Sequence, residues 1–147
     1  MRNALVLVFS TGLLCACSGP MGPIPGGELE GTPTPWPEDW AFTDAVENVL
    51  LQTNPMDPYS VTVWMVNVEN EIYIAASDTD SAWAQNMFQN PSVVLSVNGM
   101  LFNATARNVS DHDSLSRAIQ AYLVKYEIES QEDFVQEGGA LFHLQRP

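Results

Sequence analysis

The chain has 147 residues, 46% of them hydrophobic, and sets five Lys and Arg against 18 Asp and Glu for a formal net charge of −13. That balance excludes nucleic acid as a partner, because a polyanion would be repelled by the surface it had to approach. It also excludes a basic patch for anionic lipid headgroups, so any attachment to a membrane has to be apolar or covalent.

Arg2 is followed by ALVLVFSTGLL, an apolar run of signal-peptide length that is too short to span a bilayer. The run leads into Leu14-Cys15-Ala16-Cys17, which resembles the bacterial lipobox. There a Leu three residues before the Cys and a small residue just before it direct diacylglyceryl transfer and cleavage. On that resemblance residues 1–16 leave as a lipoprotein signal peptide and Cys17 becomes the lipidated N-terminus, the chain's contact with the membrane. Cys15 fails the same test, with Gly12 three residues before it and the bulky Leu14 just before it. An ordinary secretory signal cleaved near Ala16 is the alternative. The expected location is the bacterial cell envelope, at the outer membrane in a Gram-negative cell, since Ser18 stands where an Asp would favour inner-membrane retention. Maturation removes Cys15 and consumes Cys17 as a thioether, leaving no thiol for a disulfide, a metal or a nucleophile. It also removes Arg2, so four basic side chains remain against the same acids.

Residues 17–39 contain GP, GPIPGG and TPTPWP and no periodicity, and read as a semi-extended tether with little structure of its own. Trp36 and Trp40 give weight to the other reading, an ordered arm along the domain, because two indoles are costly to leave in water. The domain itself is residues 40–147, long enough to bury a stabilising core without disulfides.

Within it, Val46 to Thr53 (VENVLLQT) is a plausible first strand and NPMDP a loop. Tyr59 to Glu69 (YSVTVWMVNVE) is the clearest strand, followed by a tight turn at Asn70 and the strand EIYIAAS. Ser81 to Asn90 is helical, with Trp83, Met87 and Phe88 on one face, and Pro91 ends it. SVVLSV and MLFNATARNVS then form a hairpin around Asn98-Gly99, the strongest short-range hairpin signal. Ser110-Asp111-His112-Asp113 caps a second helix, where Leu115, Ile119, Tyr122, Leu123 and Tyr126 recur at helical spacing. SQEDFVQEGG is polar and partly helical. ALFHLQ closes the chain as a strand with Leu141 and His143 on one face and Phe142 and Leu144 on the other. Three strand pairs close in sequence, with no crossover helix long enough for a parallel sheet, suggest an antiparallel barrel with helices at its ends.

SAWAQNMFQNP, between the hairpin VTVWMVNVENEIYIAAS and the strand SVVLSVNG, resembles the split-barrel flavoprotein superfamily that includes pyridoxamine 5′-phosphate oxidases and deazaflavin-dependent nitroreductases. In the nitroreductase branch the helix carries a Trp, an Asn three residues later, an apolar residue, and then Asn-Pro before an alternating strand. Trp83, Asn86, Met87, Asn90 and Pro91 fill that pattern. ATAR, Ala104 to Arg107, and the terminal LFHLQRP are similar to that branch's fifth and closing strands. The similarity covers roughly Val46 to Pro147 and lies mainly in the combined order of elements.

The resemblance implies a mainly β fold with two helices, an antiparallel split β-barrel of about six strands. It implies a homodimer that holds FMN or a deazaflavin at the dimer cleft, the phosphate gripped by basic side chains. The chain departs from the pattern there. Trp83 stands where the oxidase branch has a Lys two residues after a Ser, here Ser81; SVTVWMVN has no basic residue; and TNPMDPYS replaces a basic Gly-rich turn. Backbone N–H groups and hydroxyls are the remaining donors for a phosphate, with Ser77, Thr79 and Ser81 foremost and Asp78 and Asp80 opposing them electrostatically. Trp83 and Asn86 complete the set on the helix.

Other residues carry their own alternatives. Trp64, Tyr73 and Trp83 fall on adjacent elements and could wall a flat ligand, or else be core. Arg107, a strand-borne cation in a chain poor in them, suits an anion or a rim ion pair. Asp111-His112-Asp113 is better explained as a helix cap than as a metal site, since adjacent residues point in different directions, and no metal is expected. His143 reads as a core or rim histidine rather than a base. No Gly-x-Ser-x-Gly motif supports serine hydrolase chemistry.

The expected function is that of a lipid-anchored envelope protein whose flavin-binding-type split barrel takes FMN or another flat small molecule. Turnover as a flavin- or deazaflavin-dependent oxidoreductase is not expected, because an exported domain does not meet the cytosolic reductants. The alternative is a non-catalytic envelope scaffold for protein contacts that has lost the cofactor. A binder should show Trp83 and Tyr73 partly open beside a pocket; a scaffold should show them buried.

Overall fold

The computed structural model describes residues 18–130 and 138–147. The apolar leader, Cys17 and most of the stretch from Ser130 to Gly139 lie outside the described residues. In chain order the elements are β1 (Thr32–Pro33), a 3-10 turn (Ala41–Thr43), β2 (Val49–Thr53), β3 (Tyr59–Val63), β4 (Met65–Val68), β5 (Glu71–Ala76), α1 (Ala82–Gln89), β6 (Ser92–Val97), β7 (Met100–Asn108), α2 (His112–Lys125) and β8 (Ala140–Gln145).

One sheet runs β3-β2-β6-β7-β8-β5-β4, with every neighbouring pair antiparallel. Its two ends are successive pieces of a single segment with only Trp64 between them. The sheet therefore curls until its last strand rejoins its first through the chain itself. Counted that way the barrel has six strands, and it is an antiparallel split barrel with two helices.

The uninterrupted strand expected from Tyr59 to Glu69 is corrected here. Its first half pairs with β2, Val63 opposite Val49, and its second half pairs with β5, Met65 opposite Ile74. Trp64 is the residue at which the segment changes partner. The strand expected from Val46 begins instead at Val49. Both hairpin turns use paired left-handed residues, Glu69 and Asn70 (φ 52° and 72°) and Asn98 and Gly99 (φ 50° and 78°). That is the twist a two-residue turn needs to bring antiparallel strands together.

Alternation along the strands sends Val49, Leu51, Met65, Ile72, Ile74, Val93, Leu95, Phe102, Phe142 and Leu144 into the barrel. One end of the barrel is stoppered by Trp40, edge-on to Phe102 at 5.0 Å and to Trp36 at 4.9 Å. The backbone N–H of Trp40 donates to Asn70 Oδ1 at 2.8 Å. Ala84 and Met87 of α1 close the other end, and Asn86 ties the helix down by donating from Nδ2 to Thr53 Oγ1 at 3.0 Å.

The Pro/Gly-rich segment lies along the barrel as an ordered arm. Thr32 N–H donates to Gly99 O and Thr34 N–H to Leu101 O, both at 2.8 Å, so β1 adds to β7 in parallel. The approach is close enough that a Cβ on Gly31 would stand 2.4 Å from Gly99 O. The side-chain amide oxygen of Gln52 accepts from Leu29 N–H at 2.7 Å.

Helix α2 starts where Asp111 accepts from Ser114 N–H at 2.8 Å and covers the outer face of β4, β5 and β8. Beneath it Val66, Tyr73, Ala118, Tyr122 and Leu141 form a second cluster. Its last turn also repairs the sheet. Tyr122 Oη accepts from Ala75 N–H at 3.0 Å and donates toward Tyr73 O at 3.0 Å and Trp64 O at 3.1 Å. Tyr126 Oη accepts from Met65 N–H at 3.0 Å, and Lys125 Nζ donates to Met65 O at 2.8 Å and Thr43 O at 3.1 Å. Removing a hydroxyl that satisfies buried backbone groups costs about 1–3 kcal/mol. Tyr122→Phe should therefore lower the unfolding free energy by about that amount, read as a shift in urea midpoint at unchanged slope, whereas Tyr59→Phe should be near neutral.

Candidate functional site

The change of partner at Trp64 leaves a gap in the barrel wall, because the segment pairs with β2 only as far as Val63 and with β5 only from Met65 on. A cavity of about 800 Å³ occupies it. Thr62, Val63 and Trp64 form one side and Ala75, Ala76 and Ser77 the other. Trp83 and Phe88 of α1 line it, as do Val109 and, from α2, Leu115, Ile119 and Tyr122. Trp64 is held flat by a stacked Tyr126 at 4.3 Å and 10°, and Phe88 meets Phe142 at a tilt of 56°, centroids 5.2 Å apart. Both rings remain open at the mouth, Trp64 42% and Phe88 45% exposed.

The wall is apolar and uncharged. Its polar members, Asn48, Thr62, Ser77, Thr79 and Asn108, are neutral, and it includes no Lys, Arg or His among the described residues. The four described basic side chains are engaged or exposed outside the lining: Lys125 on the two carbonyls, Arg117 on Glu69 at 2.7 Å, Arg107 exposed on β7 opposite His143, and Arg146 exposed just past β8. Burial of its amine, set against the Asp44 carboxylate, lowers the Lys125 pKa.

Of the residues singled out from sequence, the structure brings Trp64, Ser77, Thr79 and Trp83 to this cavity. Ser81, Asn86, Tyr73 and Arg107 are not among its lining residues. Ser81 Oγ donates to Asp78 O at 2.7 Å. The loop's backbone donors are also occupied: Thr79 N–H by Gly138 O at 2.9 Å, Ser81 N–H by Asp78 O at 3.3 Å, and Asp80 N–H by Asp78 Oδ1 at 2.8 Å. Tyr73 lies under α2, its ring stacked on His143 at 5.0 Å and its hydroxyl donating to Glu71 Oε2 at 2.7 Å. Burial, reinforced by Glu71, raises the Tyr73 pKa. Sequence reasoning missed Phe88, Val109, Leu115 and Ile119 as lining. The helical stripe was the available signal, but it marks packing equally well. Among the described residues no three His, Cys, Asp or Glu gather as a metal group.

No protein-family model matches the chain, and no curated protein matches it in sequence. Solved structures do share its fold. HutZ, the heme storage protein from Vibrio cholerae, is 18% identical with a TM-score of 0.60 over 72% of this chain and 85% of that one. The conserved hypothetical protein Rv2991 from Mycobacterium tuberculosis is 18% identical, TM-score 0.58, over 71% and 76%. An FAD-binding protein from Mesorhizobium loti is 14% identical, TM-score 0.52, over 70% and 81%. The likeness is one of fold, an antiparallel split barrel.

His143 sits half-buried beside this site, its pKa lowered first by burial and further by Arg107, with Glu71 opposing. The unfolded chain then binds a proton that the folded one resists, so the contribution of His143 to stability is level above about pH 6.5, falls as the pH drops from there toward the lower folded-state value, and levels off below it. Urea midpoints at about pH 7.5 and about pH 5.5 should differ more for the natural chain than for His143→Gln, the substitution deleting one acid-sensitive term. Equal differences would refute the assignment.

Proposed function

We propose that this chain is a lipid-anchored protein of the bacterial envelope, held by Cys17, whose barrel split takes up a flat and largely apolar small molecule without redox turnover. The observation that carries the reading is the cavity itself: two tryptophans and a phenylalanine around a space of about 800 Å³, with neutral walls. Such a wall favours a conjugated ring by dispersion and burial and offers nothing to compensate a phosphate. The heme storage and FAD-binding names of two proteins that share the fold support a planar ligand, with FMN as one candidate held by its ring. A homodimer is the expected assembly, since a second copy would cover the exposed edges of Trp64 and Phe88.

Titration of riboflavin and FMN against tryptophan fluorescence tests the reading. Riboflavin should bind at least as tightly as FMN, because the phosphate meets no cation and a net negative chain. Trp83→Ala should weaken riboflavin about tenfold, the loss of one stacking face. FMN binding far tighter than riboflavin would reveal a phosphate site and overturn the proposal. A chain that is colourless from its own host and takes up neither compound would favour the scaffold.

A further inference from the structure

Among the described residues seven large apolar side chains are exposed, and three of them, Met21 (65%), Ile24 (63%) and Met56 (91%), stand on two loops that meet at one place. The first loop, residues 18–27 (SGPMGPIPGG), carries no charge and is folded as a small hairpin. Met21 and Ile24 exchange both backbone hydrogen bonds at 3.0 Å across Gly22-Pro23, and Gly27 N–H donates to Ser18 O at 2.7 Å. The hairpin is fastened to the barrel where Gly26 and Ser60 exchange N–H···O bonds of 2.9 and 2.8 Å. A Cβ on Gly26 would lie 2.4 Å from the carbonyl carbon of Gly19 and 2.5 Å from Pro20 N, so the two arms of the hairpin touch backbone to backbone. A Cβ on Gly27 would lie 3.8 Å from Pro58 O, which sets the hairpin against the loop that carries Met56.

Ser18 is therefore fixed against the start of β3, and the residue before it is Cys17. We infer that the hairpin and Met56 form a membrane-seating surface, on which the barrel rests flush against the bilayer with Met21, Ile24 and Met56 entering the interfacial region. The inference rests on the reading of Cys17 as the lipidated N-terminus. An anchor that emerges from a docked hairpin leaves no slack for the domain to stand away from the lipid. The three apolar side chains add burial to the acyl chains. The uncharged hairpin can approach headgroups without desolvating an ion, while Glu28 and Asp57 at its margin favour a zwitterionic surface over an anionic one.

Methyl resonances of isotope-labelled methionine and valine in the full mature chain test this without any substitution. The chain is attached through Cys17 to a phosphatidylcholine nanodisc containing a few gadolinium-headgroup lipids, either by native acylation or by coupling to a maleimide lipid. Met21 and Met56 should broaden severalfold more than Val124, an exposed residue on α2, and than Met65 and Met87 inside the barrel. Gly26→Val should abolish the contrast with Val124 while leaving the Met65 and Met87 shifts in place, as the barrel stays folded. Equal broadening of Met21, Met56 and Val124 in the attached natural chain would mean a freely reorienting domain and overturn the seating. The mass of Cys17 from the native host decides the anchor separately: a residue without diacylglyceryl overturns the lipoprotein reading, and the maleimide-coupled sample still decides the seating.

Discussion

A strand that serves two partners must leave backbone groups unpaired where it changes from one to the other, and here the hydroxyl of Tyr122 pairs them. The segment from Tyr59 to Val68 gives its first half to β2 and its second to β5. At the changeover Trp64 O, Tyr73 O and Ala75 N–H have a tyrosine in place of a strand. An orphaned buried amide or carbonyl would cost as much as several methylene contacts return. The phenol is itself fully buried, which pushes its pKa well above 10 and keeps it a neutral donor and acceptor. Tyr126 and Lys125 extend the same repair to Met65, so the last turn of one helix acts as the missing piece of ladder.

The cavity follows from that arrangement. The barrel wall is open at the switch, and the bridging side chain fills only the polar part of the gap. What remains is a hollow walled by the residues that hold α2 and α1 in place. Leu115 and Ile119 belong to the apolar stripe by which α2 packs, and the same stripe overhangs the hollow. The packing surface of α2 and the cavity wall are thus shared, and substitutions that reshape the cavity will also move the helix that repairs the sheet. The electrostatics point one way as well. With Lys125 and Arg117 committed to carbonyls and a carboxylate, no cation among the described residues lines the cavity, which favours a neutral ring over an anionic one.

Much of the barrel was legible in the sequence because its signals are local. Alternation in EIYIAAS, SVVLSV and ALFHLQ marks strands, Asn98-Gly99 marks a turn, and Asp111 announces a helix three residues ahead of the N–H it caps. The partner switch was not legible, since Val63-Trp64-Met65-Val66 is a continuous apolar run that equally suits one strand buried on both faces, and only long-range pairing divides it. Tyr122 reads as one more apolar position of a stripe; the partners of its hydroxyl lie 47 to 58 residues away. Pro and Gly composition looks the same for a free tether and for a docked arm, and the difference rests on close backbone approaches at Gly26 and Gly31. The candidate site was legible in part for a related reason. Trp64, Ser77, Thr79 and Trp83 flank the gap, while Tyr73, only two residues before the lining Ala75, is taken by α2 and His143.

Trp83 joins these threads. It sits in the first turn of α1, one residue before Ala84, which is buried in the barrel, and the Asn86–Thr53 hydrogen bond keeps the helix from rotating. Its ring consequently has one edge on the core and one on the cavity. The oxidase pattern puts a Lys at this position, and exchange of an ammonium for an indole changes two things at once. It leaves the cavity wall without a cation among the described residues, and it adds a broad face for stacking. On the proposed reading the cavity takes up a ring and not a phosphate, because stacking and burial are what its neutral walls supply.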